Sequence, residues 1–587
     1  MPESRGKQDL DADRSVENIV KRLTLCELFE WAVKEYGDRK AILYSEQKEI
    51  KAITFVEWKE IADRTARTLF SMGVRKGDRV AMISEKCYQM PLLFFSIWSC
   101  NAVAVPICET LTEESQAYIL QDAQAKIALC SERLKKRVDR LAEWGTGLEK
   151  VMTYDEVLHL DVSTPCSNGS PELEDLSLLV YTSGSTGHPK GVMLSHKNMT
   201  VNSIVAIQAV GGGLEDVAAS LLPYWHCFAL STEMFCPVVA GLSIYVARDK
   251  LDFQRYIQTV RPTIVLSVPR IAETIRASVL QKANTLPSIK KKLFHMSFSL
   301  ARKKREKGLN LLEKPLFAFL DRVLLQKVRD GFGGRIRMFV GGGAPLDKEL
   351  QDFFMDLGMP MLQGYGLTEA SPVISANVLS EFQLGTSGKM MAWLTEELGG
   401  DFTFEAEDGS RGKHLTGELL VKGDCVMLGY WRNPEETAKT IENGWLHTKD
   451  MGYLNQDGYL ELMGRKTSLV CLQNGEKFYP EVIEERIKLS PYISQCLVVG
   501  EGQSHCYALV NVAEEMLNGH PNDVMVAILR GEIQRLCAHM DRHMRPKDVL
   551  ILPAFTQENG FLTGSLKVRR YKVEESFREQ IEALYQG

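Results

Sequence analysis

Two periods of apolar residues alternate along this chain. Residues 56–72 place apolar side chains on one helical face, whereas Val80-Ala81-Met82-Ile83 and residues 102–107 are short continuous apolar runs. A helical period followed by a strand, repeated, predicts an α/β architecture with parallel strands. The most apolar stretch, 90–108, is broken by Pro91, Asn101 and Pro106. It predicts a buried helix followed by a buried strand rather than a membrane span. Between residues 268 and 341 the pattern is mainly helical. Ile289, Leu293, Met296 and Leu300 recur at helical spacing, and Leu316, Phe317, Leu320, Val323 and Leu324 mark a further helix. Residues 385–462 are richer in short strands and turns and predict a small β-rich subdomain. Beyond 464 a strand at 469–472, a helix at 480–489 and strands at 495–500 and 508–512 predict a smaller α+β unit. The expected organisation is a polar, disordered segment over 1–20, a large domain over 21–464 and a smaller, mobile domain over 465–587.

Composition narrows the class. A chain of 587 residues, 45% hydrophobic and 25% charged, is an ordinary globular protein with room for more than one core. Its net charge of -6 argues against nucleic acid as a partner. Thirteen cysteines stand singly, with no CxxC pair, which suits reduced thiols in a cytoplasmic compartment. The first fifteen residues are polar, so no signal peptide is expected.

The chemistry concentrates in Tyr181 to His196, YTSGSTGHPKGVMLSH. An apolar strand ends in Thr182, Ser183, Gly184, Ser185, Thr186 and Gly187; Lys190 and Gly191 then precede a second apolar run, 192–194. Small residues let the backbone approach a ligand, hydroxyls and N–H groups donate to oxyanions, and a lysine supplies a point charge suited to phosphate. The spacing of glycines and lysine is not that of a Walker A loop.

This loop resembles the phosphate-binding signature of the adenylate-forming (AMP-binding) superfamily, and the superfamily's other motifs follow in order over residues 24–571. They are Gly341-Gly342-Gly343-Ala344-Pro345-Leu346, Gln363-Gly364-Tyr365-Gly366-Leu367-Thr368-Glu369, Gly417-Glu418-Leu419, Gly429-Tyr430-Trp431 and Gly444-Trp445-Leu446-His447-Thr448-Lys449-Asp450. Gly464-Arg465-Lys466, Asn474-Gly475-Glu476-Lys477-Phe478-Tyr479-Pro480 and NGFLTGSLKVRR from Asn559 to Arg570 complete the series. The long stretch from 268 to 337, with its PRIAETI segment, is similar to long-chain fatty acyl-CoA synthetases. Its apolar helices are therefore expected to wall a tunnel for the acyl chain.

The resemblance implies two steps. A fatty carboxylate and ATP give acyl-AMP and pyrophosphate, and the thiol of CoA then takes the acyl group. It assigns Thr182, Ser183, Gly184, Thr186, Gly187 and Lys190 to the β- and γ-phosphates, Thr368 to the α-phosphate and Glu369 to Mg²⁺. Gly342, Gly343 and Tyr365 would border adenine, Asp450 would take the ribose hydroxyls, and Arg465 would reach the ribose or phosphates. Lys567 would enter the site during adenylation. His226 would mark the boundary of acyl and thiol channels, and Asn474, Gly475 and Glu476 would line the pantetheine passage. Three departures from the family pattern stand out: Lys449 where glycine is usual, Ser468 where Asp or Lys is usual, and Met390, Met391, Ala392 and Trp393 in place of a proline-glycine turn. An acyl carrier protein as thiol donor, and a non-catalytic adenylate- or acyl-binding protein, are the alternatives. The basic residues Lys290, Lys291, Lys292, Arg302, Lys303, Lys304, Arg305 and Lys307 raise the expectation of a peripheral position on the inner membrane face.

Overall fold

The computed structural model describes residues 22–183, 188–395, 399–513, 521–563 and 568–586. Gly184, Ser185, Thr186, Gly187 and Lys567, together with the segment 1–20, lie outside the described residues.

Among the described residues, nine strands form the largest sheet. In spatial order they are Lys389–Met390, Val373–Ala376, Met361–Gly366, Met338–Gly341, Ile264–Ser267, Val217–Ser220, Ser243–Val246, Lys40–Glu46 and Glu49–Thr54. The strands from Met361–Gly366 to Lys40–Glu46 run parallel, and the outer ones pair antiparallel. A second sheet orders Gly429–Tyr430, Pro189–Ser195, Leu176–Ser183, Val103–Ile107, Arg79–Ile83, Ile127–Cys130 and Lys150–Thr153. It too is parallel except at one edge, where Pro189–Ser195 folds back on Leu176–Ser183 and Gly429–Tyr430 adds to it. The expected α/β architecture with parallel strands is what the two sheets show; antiparallel pairs close their edges, and two of the sequence motifs sit in them.

Helices fill the space around the sheets. Thr54 caps Phe55–Ser71 in a reciprocal capping box with Glu57, and the helix buries Phe55, Trp58, Ala62, Ala66 and Leu69. Gln89–Ser99 is buried on all sides, as an evenly apolar helix must be. Its Trp98 is fully buried and donates from Nε1 to the Ser177 carbonyl at 2.9 Å. Such an anchor ties the helix to the strand that leads into the phosphate-type loop. No described helix is long and apolar enough to cross a membrane.

The strand-rich region is a separate sheet of Arg411–Gly412, Asp401–Glu405, Gly417–Lys422, Trp445–Leu454, Ile441–Glu442 and Leu460–Arg465. From Val470 onward the chain builds cores of its own around Ile483, Val498, Val510 and Ile533, and around Leu509, Phe555 and Val573.

The long helical segment differs from expectation in which face it buries. In Ser288–Glu306 the buried positions are Phe294, Ser297 and Ala301, and Ile289 is exposed. Leu320 and Leu325 point inward from the next helix, while Leu316 and Val323 face out. These helices pack with Phe353, Phe354 and Leu357 in an outer cluster.

Candidate active site

In parallel sheets ligands sit beyond the carboxyl ends of the strands. The strands Met338–Gly341 and Met361–Gly366 end side by side, delivering the glycine turn and the Leu367-Thr368-Glu369 segment to one place. Gly343 takes φ 84°, which a side chain would strain. At Gly366 a Cβ would lie 1.8 Å from the Pro372 carbonyl oxygen, so the turn closes only with glycine. Gln363 fixes the glycine turn from the neighbouring strand, its Oε1 accepting from the Leu346 N–H at 2.8 Å.

Ionic and phenolic groups converge around this end. Tyr365 donates its hydroxyl to Asp450 Oδ2 at 2.6 Å. Burial, reinforced by the Asp450 charge, pushes that phenol well above its ordinary range, so it stays a donor. Arg465 Nε lies 3.2 Å from Asp450 Oδ1, a meeting set by the antiparallel register that puts Asp450 opposite Arg465. Glu369 Oε1 accepts from the Tyr430 hydroxyl at 2.9 Å. Lys190, opposite Thr182 in its hairpin, donates to Glu436 Oε1 at 2.6 Å and lies 5.5 Å from the centre of the Tyr430 ring. Lys449 Nζ is 3.8 Å from the same Glu436 oxygen. The hydrogen bond from Lys190 holds the Glu436 carboxyl below the usual carboxylate range.

A cavity of about 70 Å³ adjoins this row through Tyr365, the partner of Asp450, and Thr368, the neighbour of Glu369. It is lined by His226, Phe228, Gly342 and Thr368, and by the apolar side chains of Ala206, Ala209 and Val210 of His196–Val210 and of Val340 and Leu362 of the sheet. None of the helices between 269 and 331 lines it. The helices expected to wall an acyl tunnel thus do not line this cavity; His196–Val210 does, and the outer helices pack against Phe353, Phe354 and Leu357.

The chain matches the family described as AMP-binding enzyme over residues 29–431 and that described as AMP-binding enzyme C-terminal domain over 467–587. It belongs to the AMP-binding enzyme family. Relatives of this AMP-binding enzyme include a protein named long-chain-fatty-acid–CoA ligase FadD15 of Mycobacterium bovis, 30% identical over 555 residues that span 88% of this chain and 89% of the relative. Fatty acyl-CoA synthetase B of Dictyostelium discoideum is 26% identical over 612 residues, covering 94% and 89%. Among solved structures, the adenylation domain of a carboxylate reductase from Mycobacterium chelonae superposes with a TM-score of 0.77 at 23% identity, covering 100% of this chain and 98% of that one. The anthranilate CoA ligase AuaEII, in complex with anthranoyl-AMP, gives 0.74 at 18% identity, covering 94% and 97%. At these identities the structural likeness is one of fold.

Within the AMP-binding enzyme, the sequence-marked residues Thr182, Lys190, Gly342, Gly343, Tyr365, Thr368, Glu369, Asp450 and Arg465 gather at this end, and Ser183 pairs with Pro189 at the hairpin tip. His226 lines the cavity, its Nδ1 accepting from the Phe228 N–H at 3.3 Å. Asn474, Gly475 and Glu476 form an exposed turn instead. Asn474 donates to Glu476 at 2.7 Å, and His543 lies 3.7 Å from Glu476. Gln557 and Glu558, in the loop that leads toward Lys567, share a surface cavity with Glu109. Glu109 accepts from Trp225 Nε1 at 3.0 Å, next to His226.

Sequence reasoning did not assign Tyr430 or Glu436 to the site. Tyr430 was visible only as part of a motif. The one signal for Glu436 is its place at the start of Pro434–Thr440, where Asn433 Oδ1 caps its N–H at 3.1 Å. The departures have structural partners. Trp393 is buried and donates to the Val373 carbonyl at 2.7 Å, and Ser468 donates to the Arg465 carbonyl at 3.0 Å.

Proposed function

We propose that this AMP-binding enzyme is a long-chain fatty acyl-CoA synthetase. The carrying observation is the junction of an apolar cavity with a row of phosphate- and ribose-suited groups at one sheet end. The names of the full-length relatives support the same substrate class. A fatty carboxylate oxygen attacks the α-phosphorus of ATP, the bond to the bridging oxygen breaks and pyrophosphate leaves. A thiol sulfur then attacks the acyl carbon and AMP leaves.

Carboxylate and triphosphate are both anionic, so neutralising charge and aligning the reactants carry the rate. Lys190, with the hydroxyls and N–H groups of Thr182, Ser183, Gly184, Thr186 and Gly187, receives the β- and γ-phosphates. Glu436 occupies Lys190 until then and is displaced by the stronger anion. Thr368 meets the α-phosphate. Glu369 and the neighbouring hydroxyl offer hard oxygen donors of the kind Mg²⁺ accepts alongside phosphate. When bound there the ion would neutralise triphosphate charge. Each Asp450 oxygen keeps a lone pair beyond its bond to Tyr365 or Arg465, so both can still accept a ribose hydroxyl. Gly342, Gly343 and Tyr365 border the base. Lys567 supplies charge at the reacting carboxylate, and the position of Gln557 and Glu558 beside Glu109 supports its approach from that side. His226 separates the acyl and thiol paths. Asn474, Gly475 and Glu476 line the pantetheine passage after the smaller domain turns.

CoA rather than an acyl carrier protein is proposed as acceptor. Palmitate, ATP and Mg²⁺ with CoA or holo-carrier protein, side by side, test this. Acyl-CoA with stoichiometric AMP and pyrophosphate is expected. Transfer to the carrier protein alone would reassign the acceptor, and no fatty acid-dependent ATP–pyrophosphate exchange would leave only a binding protein.

A further inference from the structure

One surface is left unexplained by adenylation. Helix Glu313–Leu320 continues through the turn Asp321–Leu325. Along it Leu312, Leu316, Phe319 and Val323 follow at intervals of four, three and four residues, which aligns them on a single helical face. That spacing ordinarily marks a buried face. Here the four side chains are 85%, 41%, 62% and 37% exposed, and Leu311 beside them is 84% exposed. Leu320 and Leu325 turn inward instead and, with Phe317 and Leu324, hold the helix to the domain.

The surroundings are cationic. Residues 288–331 hold twelve lysines and arginines against four acids, in a chain whose net charge is -6. Part of that charge is turned inward: Arg302 and Arg305 engage Asp356, and Arg329 engages Asp321. Lys303 pairs with Glu313. Lys290, Lys292, Lys307, Lys314, Arg322 and Lys327 remain exposed.

We propose that this helical arm docks on an anionic lipid bilayer, with Leu312, Leu316, Phe319 and Val323 entering the interface and the exposed lysines and arginine resting on acidic headgroups. An apolar stripe bordered by basic residues is the chemistry of an interfacial helix. A second copy of the chain would oppose the same positive rim to itself, so charge favours lipid over self-association. The site differs from the one expected from sequence. The anchoring stripe follows the 290–307 run, and that run contributes the charges not engaged by Asp352, Asp356 and Glu313. The benefit to the enzyme rests on the fatty acid reading, since such acids partition into bilayers; the docking itself does not.

Co-sedimentation of the full chain with vesicles of phosphatidylcholine, or of phosphatidylcholine with 30% phosphatidylglycerol, tests it. Binding is expected to the acidic vesicles only and to fall several-fold at 0.5 M salt. The triple variant Leu312→Ser, Leu316→Ser, Phe319→Ser should lose at least about tenfold in bound fraction. So should Lys307→Glu, Lys314→Glu, Arg322→Glu. Both variants should keep native turnover with octanoate in detergent-free buffer, which checks folding and separates this proposal from the enzymatic one. In Phe319→Trp, tryptophan emission should shift to the blue on acidic vesicles. No binding to acidic vesicles, equal binding by the triple variant, or an emission shift produced by holo-carrier protein but not by vesicles would overturn lipid as the occupant.

Discussion

Lys449 has a left-handed backbone, φ 62°, immediately before Asp450. Holding a non-glycine residue there costs about 1–2 kcal/mol, and glycine would relieve most of it. The side chain gives something in exchange. Its ammonium stands beside Glu436 with Lys190, whereas the backbone N–H that donates to Glu418 Oε1 at 3.0 Å would be kept by glycine. Lys449→Gly should therefore raise stability by about 1 kcal/mol while raising KM for ATP, as one cation near the phosphates is lost. Chemical denaturation and pyrophosphate exchange measure the two. An unchanged KM would make Lys449 a bystander to nucleotide binding. Lys567→Ala should separate the half-reactions. Adenylation should fall by roughly 10²–10³, the usual effect of removing a preorganised charge from a developing oxyanion. Transfer from synthetic acyl-AMP to CoA should be largely retained in single turnovers, and equal losses in both steps would refute the role.

Among the elements, His196–Val210 joins stability to the cavity that its Ala206, Ala209 and Val210 line. Its first residue, His196, is buried, accepts from the Leu25 N–H through Nδ1 at 3.3 Å, and is depressed by that burial to about 4. The unfolded chain takes up a proton near pH 6.5 that the folded chain refuses until about pH 4. The contribution is therefore complete above pH 6.5 and is lost as pH falls toward 4, by an amount on the order of 3 kcal/mol. His196→Asn, which keeps an acceptor near Leu25, should flatten the stability profile between pH 6.5 and 4.5 in denaturant titrations; identical slopes would show that this histidine does not govern it. Legibility from sequence also divides by element. Residues 90–108 were readable because an evenly apolar run broken by Asn101 has few ways to fold, and the structure makes them Gln89–Ser99 and Val103–Ile107. Asp450 and Arg465 were readable as motif residues, but their pairing depends on strand register, which spacing does not encode. Glu436 was hidden because it meets Lys190 across 246 residues. The helix marked by Leu316, Phe317, Leu320, Val323 and Leu324 was legible for the opposite reason, but spacing does not say what covers a face: Leu320 is buried while Leu316 and Val323 are exposed.

At the scale of the molecule, the smaller domain is fastened beside the glycine turn. Arg486 lies 3.2 Å from Asp347 and 2.8 Å from Glu349, at the start of Lys348–Leu357. Glu273 of the large domain is raised to about 7, by burial and then by Glu485 of the smaller one. An acid raised on docking favours the docked arrangement at low pH, and the benefit declines as pH rises from about 4.5 through 7. Small-angle scattering at pH 8 should find Arg486→Ala expanded and Glu273→Gln more compact than the native chain; no difference in either would contradict this seam. The central claim is that the cavity beside His196–Val210 receives a long acyl chain and presents its carboxylate to ATP. Each buried methylene is worth about 0.8 kcal/mol, so two more carbons should raise kcat/KM by roughly 15-fold while the cavity continues. The most direct measurement is fatty acid-dependent ATP–pyrophosphate exchange over saturated acids of about 6 to 18 carbons, below their critical micelle concentrations. Cinnamate and acetate serve as controls, and Ala206→Phe is run in parallel. The expected result is a climb into the 12–18 carbon range for the native chain and, in Ala206→Phe, a fall of at least about tenfold for the long acids with the short ones spared. A maximum at or below about six carbons, a preference for cinnamate, or an unchanged profile in Ala206→Phe would contradict it.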